Sequence, residues 1–542
     1  MSTRRISKVA VIGSGIMGSG IACHFANIGV EVLLLDIAPN ELTEKEKEKG
    51  LKLSDPAVRN RIVDGNLLQA IKSNPAPLYH MGFKKRIHTG NLSDDIAKIA
   101  DVNWIIEVVV ERLEIKQTVF KQIEAHRTRG TLITSNTSGI PIAMMNEGRS
   151  DDFQKYFAVT HFFNPPRYLK LFEVIPGPNC LPEVSSFLMD YGSTFLGKRS
   201  VLAKDTPAFI GNRIGIFCIQ SLFHQVKDMG LTVEEIDKLT GPVIGRPKSA
   251  TFRTVDVVGL DTLVHVANGL HENCQDDERR DVFQLPDFIS TMMEKQWLGS
   301  KSSQGFYKKV KNENGKSEIL TLDLNTLEYR SKKRAQFDTL EKTKTIGNLI
   351  DRYPVLISGS EKATAFYRKN FGELFAYIQH RIPEISDEIY RVDDAMKAGF
   401  GWTHGPFELW DAVGLEIGIE LIKEAGHEPA EWVTTMAKGS HQSFYGLEDG
   451  QQYFYDILNK NMNVIPGQSS FIILDSLRAS KTVWQNPECS LIDLGDGVLN
   501  VEFHSKMNTI GGGVLQGINK GVDLAEKDFQ ALVVGNQGAN FS

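Results

Sequence analysis

Lys8-Val-Ala-Val-Ile-Gly13-Ser-Gly15-Ile16-Met17-Gly18 forms the first regular stretch of the chain, and Asp36 closes the next apolar run, Val30 to Leu35. The glycines have the spacing G-x-G-x-x-G, with a strand-like run before them and an amphipathic stretch after. Each glycine has its own duty in such a turn. Gly13 permits the tight bend, Gly15 lets the backbone approach a pyrophosphate, and Gly18 lets the following helix pack close to its strand. The helix start, with Ile16 and Met17 in it, turns unpaired N–H groups and a partial positive charge toward the diphosphate. An acid at the end of the second strand suits the ribose hydroxyls, which makes Asp36 the expected acceptor. Ile37 and Ala38 follow it rather than an arginine, so a 2′-phosphate would meet a carboxylate with no partner cation. The stretch predicts a Rossmann-like, doubly wound α/β domain that binds NAD in preference to NADP.

Composition narrows the class further. A chain of 542 residues has room for several domains. A net charge of −6 with 24% charged residues gives no electrostatic case for nucleic acid or an anionic membrane. The apolar runs are strand-length, well short of a membrane span. Met1 to Ser7 is polar and basic with no apolar core behind it, so no secretory signal is expected. The cysteines (Cys23, Cys180, Cys218, Cys274 and Cys489) are scattered, and the 13 histidines do not cluster at ligand spacings. Reduced thiols, a cytoplasmic location and no metal are the expectations.

Residues 1–202 alternate strand-like and helix-like segments, as a parallel sheet with crossover helices requires. The expected strands are Lys8–Ile12, Val30–Asp36, Trp104–Val109, Leu132–Ser135, Ala158–Phe163 and Leu171–Val174. Glu41 to Lys52 is charge-dense and reads as a solvated helix face. Pro75-Ala-Pro77 marks a loop.

From Thr206 the chain changes to successive helices, and a pattern recurs. Glu235-Ile-Asp237, Gly245 and Phe252-x-x-x-Asp256-x-x-Gly259-Leu-Asp261 match Val392-Asp393, Gly401 and Phe407-Glu-Leu-Trp-Asp411-x-x-Gly414-Leu-Glu416. The reading is a duplicated helical domain, at 203–309 and 346–480. Between the copies, 310–345 holds a hairpin with Asn-Gly at its turn (Asn312 to Lys316) and a polar linker, Ser331 to Lys344. A further segment, 488–542, begins with two strands across Gly495-Asp-Gly497, continues through Lys506-Met-Asn508 and a helix, and reaches a last strand at Ala531–Val534.

One constellation carries chemistry. In His161-Phe-Phe-Asn-Pro-Pro-Arg-Tyr-Leu-Lys-Leu-Phe-Glu173 an apolar run turns at Asn164-Pro-Pro and returns as a strand. Such a turn can set Glu173 beside His161 as an antiparallel neighbour. The carboxylate would then fix one imidazole nitrogen and leave the other as a general base. The bland alternative is a satisfied core histidine. Ser135-Asn136-Thr-Ser138 follows a strand, where a doubly wound sheet has its crevice. Asp205-Thr-Pro-Ala-Phe-Ile-Gly-Asn212 opens the first helical copy with a polar residue in an apolar helix. That Asn212 either caps backbone or faces a ligand. No G-x-S-x-G, Walker or H-E-x-x-H motif competes.

Together the glycine loop, Glu107-Val-Val-Val-Glu111, Ser135-Asn-Thr-Ser138, His161-Phe-Phe-Asn-Pro, Glu173, Asp205-Thr-Pro-x-Phe-x-x-Asn212-Arg and Gly405-Pro-Phe-Glu-Leu-x-Asp411 closely resemble the 3-hydroxyacyl-CoA dehydrogenases. The resemblance spans roughly residues 6–430 and implies NAD-dependent oxidation of L-3-hydroxyacyl-CoA in fatty-acid β-oxidation. It implies His161 as base, Glu173 as its orienting partner, and Ser138 and Asn212 as hydrogen-bonding residues at the substrate oxygen. Toward the cofactor it implies Glu107, Glu111, Lys116 and Asn136, beside the glycine loop and Asp36. A homodimer and a thiolase partner belong to the same expectation.

The first helical copy departs from the pattern. It has Ser249-Ala-Thr-Phe-Arg where the second has Gly405-Pro-Phe-Glu-Leu, read as a difference in substrate shape. The tail from Ser490 resembles the opening of an enoyl-CoA hydratase (crotonase) domain and stops at Asn540-Phe-Ser542, so a truncated fused protein is the expectation. Two rivals stand beside this reading. One is a noncatalytic CoA- or partner-binding scaffold of a fatty-acid oxidation complex. The other is a different β-hydroxyacid dehydrogenase, whose usual base is a helical lysine.

Overall fold

The computed structural model describes residues 4–311, 315–448, 451–468 and 472–538, and the chain divides into two compact units, Met1–Thr434 and Thr435–Ser542. In the first unit, apolar runs build an eight-stranded sheet in the order β3-β2-β1-β4-β5-β6-β7-β8. The strands are β1 (Lys8–Ile12), β2 (Glu31–Asp36), β3 (Ile87–Asn91), β4 (Trp104–Glu107), β5 (Leu132–Ser135), β6 (Phe157–Phe162), β7 (Leu171–Pro176) and β8 (Arg199–Leu202). All neighbours run parallel except β6 and β7. Val9 to Ile12 and Trp104 to Ile106 are fully buried, as strands covered on both faces must be.

The six expected strands are present with ends moved by a few residues; Trp104 begins a strand that stops at Glu107, and Val108 to Val110 belong to the loop beyond it. Two strands went unread, β3 and β8, and both are sheet edges. Ile-His-Thr-Gly-Asn and Arg-Ser-Val-Leu are half-exposed and lack the apolar run of an inner strand. The Glu44–Glu48 helix, capped by Thr43, buries none of its residues, in keeping with a solvated face.

The helical part of this unit repeats itself in detail. Asp237 accepts N–H bonds from Thr251, Phe252 and Arg253 at the start of the Phe252–Val258 helix. Asp393 does the same for Phe407 and Glu408 at the start of Pro406–Val413. Gly245 and Gly401 share a left-handed φ of 69° and 67°, and Gly259 and Gly414 one of 107° and 100°. The copies meet at the Gly211–Asp228 helix. There the Phe217 and Tyr377 rings stack at 3.6 Å, and Arg213 and Arg381 share the buried Asp277 carboxylate at 2.7 and 2.8 Å. Between the copies, β9 (Tyr307–Lys311) and β10 (Ser317–Leu322) pair antiparallel, and β11 (Tyr329–Ser331) joins β10. Of the expected turn, Asn312 to Asn314 lie outside the described residues. The linker is helical over Asp338–Thr343.

The expectation of an all-helical stretch over 346–480 needs correction. The run of helices breaks off at Lys438 and helix returns only at Leu474–Lys481; between them lies an antiparallel sheet of β12 (Tyr445–Glu448), β13 (Gln451–Asp456) and β14 (Asn461–Val464). These strands are short and polar, and only two of the residues, Phe454 and Tyr455, are buried. The remainder forms β15 (Thr482–Asn486), β16 (Cys489–Asp493), β17 (Val498–Phe503) and β18 (Ala531–Val534), in that order across the sheet. The Gly512–Asp528 helix crosses over from β17 to the parallel β18, and Val514 packs onto Leu491, Leu499 and Val501. Asn540 to Ser542 lie outside the described residues.

Candidate active site

The carboxyl ends of β1, β2, β4, β5 and β6 form the crevice where open α/β sheets bind ligands. At β1 the glycine loop answers to its geometry. A Cβ on Gly13, whose φ is 103°, would meet the Val108 carbonyl at 2.6 Å, and one on Gly18 would fall 1.9 Å from the Gly13 carbonyl oxygen. A Cβ on Gly15 would touch nothing within 4 Å, so that face is open to a ligand. Asp36 is held in place at the end of β2. Its Oδ2 accepts from the N–H of Ser14 at 2.7 Å and from the Ser14 hydroxyl, and its Oδ1 accepts from the Ile37 N–H at 2.7 Å. Ile16 and Ile37 are 77% and 61% exposed, an apolar floor beside the helix start. An adenine dinucleotide fits these features: open glycine backbone, a helix start, a ribose acceptor and an apolar wall.

At β4 and β5 the expected cofactor residues form a relay that runs from the buried Glu107 and Lys116 to the more exposed Glu111. Glu107 is fully buried, and its carboxylate accepts from Lys116 Nζ at 2.9 and 3.0 Å, from the Ser135 hydroxyl and from the Val109 N–H. Lys116, 1% exposed, also reaches Glu111 at 3.3 Å. Glu107 and Lys116 thus shape the crevice wall from beneath its surface. Glu111 in turn accepts from the Thr137 hydroxyl, the Ser138 N–H at 2.9 Å and the Ser138 hydroxyl at 3.3 Å. Burial pushes the Glu111 carboxyl up, but Lys116 and these donors outweigh it and hold it below the usual carboxylate range. Asn136 Oδ1 accepts from the Phe162 N–H at 2.8 Å, tying the end of β5 to the strand that carries His161.

His161 and Glu173 stand directly opposite in the β6–β7 ladder. Nδ1 of His161 lies 2.7 Å from Glu173 Oε2, and the side chain is 8% exposed. The other carboxylate oxygen accepts from the N–H groups of Ile210 and Gly211 at 3.1 and 2.8 Å, at the start of the Gly211–Asp228 helix. Those N–H groups carry the positive end of the helix dipole, which stabilises a buried anion. With Nδ1–H donating to Glu173, the Nε2 lone pair is free; Nε2 has no protein partner among the described residues and is not sealed off. Phe163 and Phe209 flank the ring at centroid distances of 4.6 and 5.6 Å. Ala208 and Phe209 hold left-handed φ angles of 62° and 52°, a backbone strain of the sort kept at functional sites. Asn212, half-buried in the first turn of that helix, makes no side-chain hydrogen bond among the described residues.

Beside the glycine loop lies a cleft of about 450 Å³, walled by Asn66 and Gln69 on one side and Asn164 to Arg167 on the other. Arg167 donates to the carbonyls of Ala76 and Leu78 and has no carboxylate partner among the described residues. Sequence reasoning missed Ser14, Thr137 and the Ile210 and Gly211 amides. Ser14 is the variable residue of the glycine motif, and Thr137 lies inside a quoted motif, so both were in view; the backbone donors leave no mark in a sequence.

Comparison with known proteins identifies the family. Residues 8–206 match the family 3-hydroxyacyl-CoA dehydrogenase, NAD binding domain, and 209–309 with 374–444 match 3-hydroxyacyl-CoA dehydrogenase, C-terminal domain. A Bacillus subtilis (strain 168) protein named "Probable 3-hydroxyacyl-CoA dehydrogenase" is 44% identical over 539 residues, 99% of this chain and 67% of its own. A Rickettsia felis protein, provisionally named a fatty acid oxidation complex trifunctional enzyme, is 31% identical over 540 residues, 99% of this chain and 68% of its own. The crystal structure of Escherichia coli K12 3-hydroxybutyryl-CoA dehydrogenase superposes with a TM-score of 0.57 at 21% identity, over 80% of this chain and 98% of that one, a likeness of fold. Among the described residues no helix is long and apolar enough to cross a membrane, and no group of side chains is arranged to hold a metal. The chain belongs to the 3-hydroxyacyl-CoA dehydrogenase family and is an NAD-dependent oxidoreductase.

Proposed function

We propose that the chain oxidises L-3-hydroxyacyl-CoA to 3-ketoacyl-CoA with His161 as general base. The observation that carries the proposal is the fixed imidazole: Nδ1 is bound to Glu173, which is itself pinned by two helix-start N–H groups, while Nε2 is unpartnered among the described residues. Bound NAD supplies the hydride acceptor for C3. His161 Nε2 takes the 3-hydroxyl proton, and the resulting imidazolium is stabilised by the Glu173 carboxylate at 2.7 Å. Asn212 donates to the oxygen that becomes the ketone, and the Ser138 hydroxyl does so by turning from its 3.3 Å contact with Glu111. Phe163 and Phe209 exclude water from the ring, and the Glu107–Lys116–Glu111 relay holds the Ser138 loop in register. The cleft beside Arg167 suits the polar tail of the thioester.

The test follows NADH absorbance with acetoacetyl-CoA and with a longer 3-ketoacyl-CoA. The parent oxidises NADH with at least one of them, and His161→Ala loses about 10²- to 10⁴-fold in turnover while still binding NADH. Equal rates for variant and parent remove His161 from the mechanism. Silence with both substrates despite NADH binding favours the scaffold reading. The same reading includes a homodimer, a thiolase partner and a reducing, cytoplasmic setting, the last supported by five free cysteines. Light scattering and co-elution with a thiolase test the first two; a monomeric mass and separate elution overturn them.

A further inference from the structure

A second cleft, of about 470 Å³, lies on the first helical copy beneath the β9–β10 hairpin and the segment after β11, and shares no lining residue with the glycine-loop cleft. Six cations line it: Lys238, Lys248, Arg253, Lys332, Lys333 and Arg334. All six are exposed, and none has an ion-pair partner among the described residues. Glu341 acts on Lys238 and Arg334, and Asp256 on Arg253, only at longer range.

The two carboxylates in the wall do not neutralise the cations. Glu234 is gripped by Arg330 at 2.6 and 3.1 Å and accepts the Lys333 N–H. Asp237 serves the three helix-start N–H groups and the Tyr307 hydroxyl at 2.7 Å. A concave surface with so many converging, uncompensated cations focuses potential on an anion of several charges. Ile319, 50% exposed, supplies an apolar patch in the wall, and the buried Tyr307 ring lies beneath Lys332 Nζ at 5.7 Å. The volume is that of a small-ligand site.

We propose that this cleft binds a multiply phosphorylated nucleotide, its phosphates on the Lys332-Lys-Arg334 run with Lys248 and Arg253, and its base against Ile319. Two sources present that chemistry: the 3′-phosphorylated adenosine diphosphate end of a second coenzyme A molecule, separate from the thioester beside Arg167, and a free nucleotide polyphosphate.

The experiment is calorimetric titration of the intact chain, with NADH saturating the cofactor loop, using adenosine 3′,5′-bisphosphate and ATP as separate probes. The parent is compared with the charge reversals Lys332→Glu/Arg334→Glu and, from the facing wall, Lys248→Glu/Arg253→Glu. Both variants are expected to weaken binding at least about tenfold, with a shallower salt dependence. NADH affinity and turnover stay at parental values. A loss confined to the bisphosphate identifies the coenzyme A end as the source, and a loss for both identifies nucleotide polyphosphates in general. Equal affinity of variants and parent, or no binding by the parent at low salt, overturns the proposal.

Discussion

Glu173 Oε2 lies 2.7 Å from His161 Nδ1 while its second oxygen receives the amides of Ile210 and Gly211. The carboxylate therefore couples the base to the start of the helix that carries Asn212, and the amide isostere can test the coupling. In Glu173→Gln the carbonyl oxygen is expected to keep the two backbone donors, which turns the NH₂ group toward Nδ1. Nδ1 must then be unprotonated, Nε2 carries the hydrogen, and the base is lost. Turnover is expected to fall about 10²- to 10⁴-fold with KM for the acyl-CoA little changed. Parental turnover in steady-state assays would detach the tautomer from the chemistry.

The glycine loop makes a prediction that separates packing from ligand binding. Gly15 has a φ of −57° and open space where a Cβ would go, so Gly15→Ala changes stability by less than about 0.5 kcal/mol. Its methyl stands where the pyrophosphate must approach, and NADH affinity falls at least about tenfold. Gly18→Ala drives a methyl to 1.9 Å from the Gly13 carbonyl and costs about 1–3 kcal/mol through overpacking. Thermal melts and NADH titration of the two variants check this; a destabilised Gly15→Ala would mean the space is not open.

The parts of this architecture that were legible in the sequence are those set by local pattern. Gly13 to Gly18 and Asp36 lie within one strand–turn–helix–strand unit, and the turn at Asn164 returns the chain so that Glu173 faces His161. The Glu111 clamp on Ser138 was less legible, because it joins the loops after β4 and β5 across 27 residues. The burial of Glu107 and Lys116 was not legible either, because whether a charged side chain lies at a surface or beneath it depends on tertiary packing that their spacing does not encode. The edge strands β3 and β8 and the polar sheet after Lys438 escaped for a related reason. A strand with one covered face, or short enough to lie at a margin, carries too few apolar residues to declare itself.

The duplicated helical domain offers a test through its anchor. Asp393 accepts the Phe407 and Glu408 amides at 2.9 Å each, the counterpart of Asp237 at Phe252. Asp393→Ala leaves those donors at a helix start whose Phe407 is fully buried, at a cost of about 1–3 kcal/mol. The loss is local, so amide exchange across Pro406–Val413 accelerates at least about tenfold, while the β1–β2 amides keep parental protection. Uniform acceleration through both regions would show that the anchor serves the whole unit.

His24 gives the pH dependence a sign. It is 2% exposed, donates Nε2–H to the Leu196 carbonyl at 3.0 Å, and has no partner for Nδ1 among the described residues. Burial first, and the Lys198 cation second, pull its pKa from 6.5 down to about 4. The folded value lies below the unfolded one, so between about pH 4 and 6.5 the unfolded chain binds more protons. Stability present above that window is lost as pH falls through it. Glutamine can keep an N–H on the Leu196 carbonyl but does not titrate. The advantage of the parent over His24→Gln in urea unfolding should therefore shrink by on the order of 2 kcal/mol between about pH 7 and 4.5. Parallel pH profiles for the two proteins would place the acid sensitivity elsewhere.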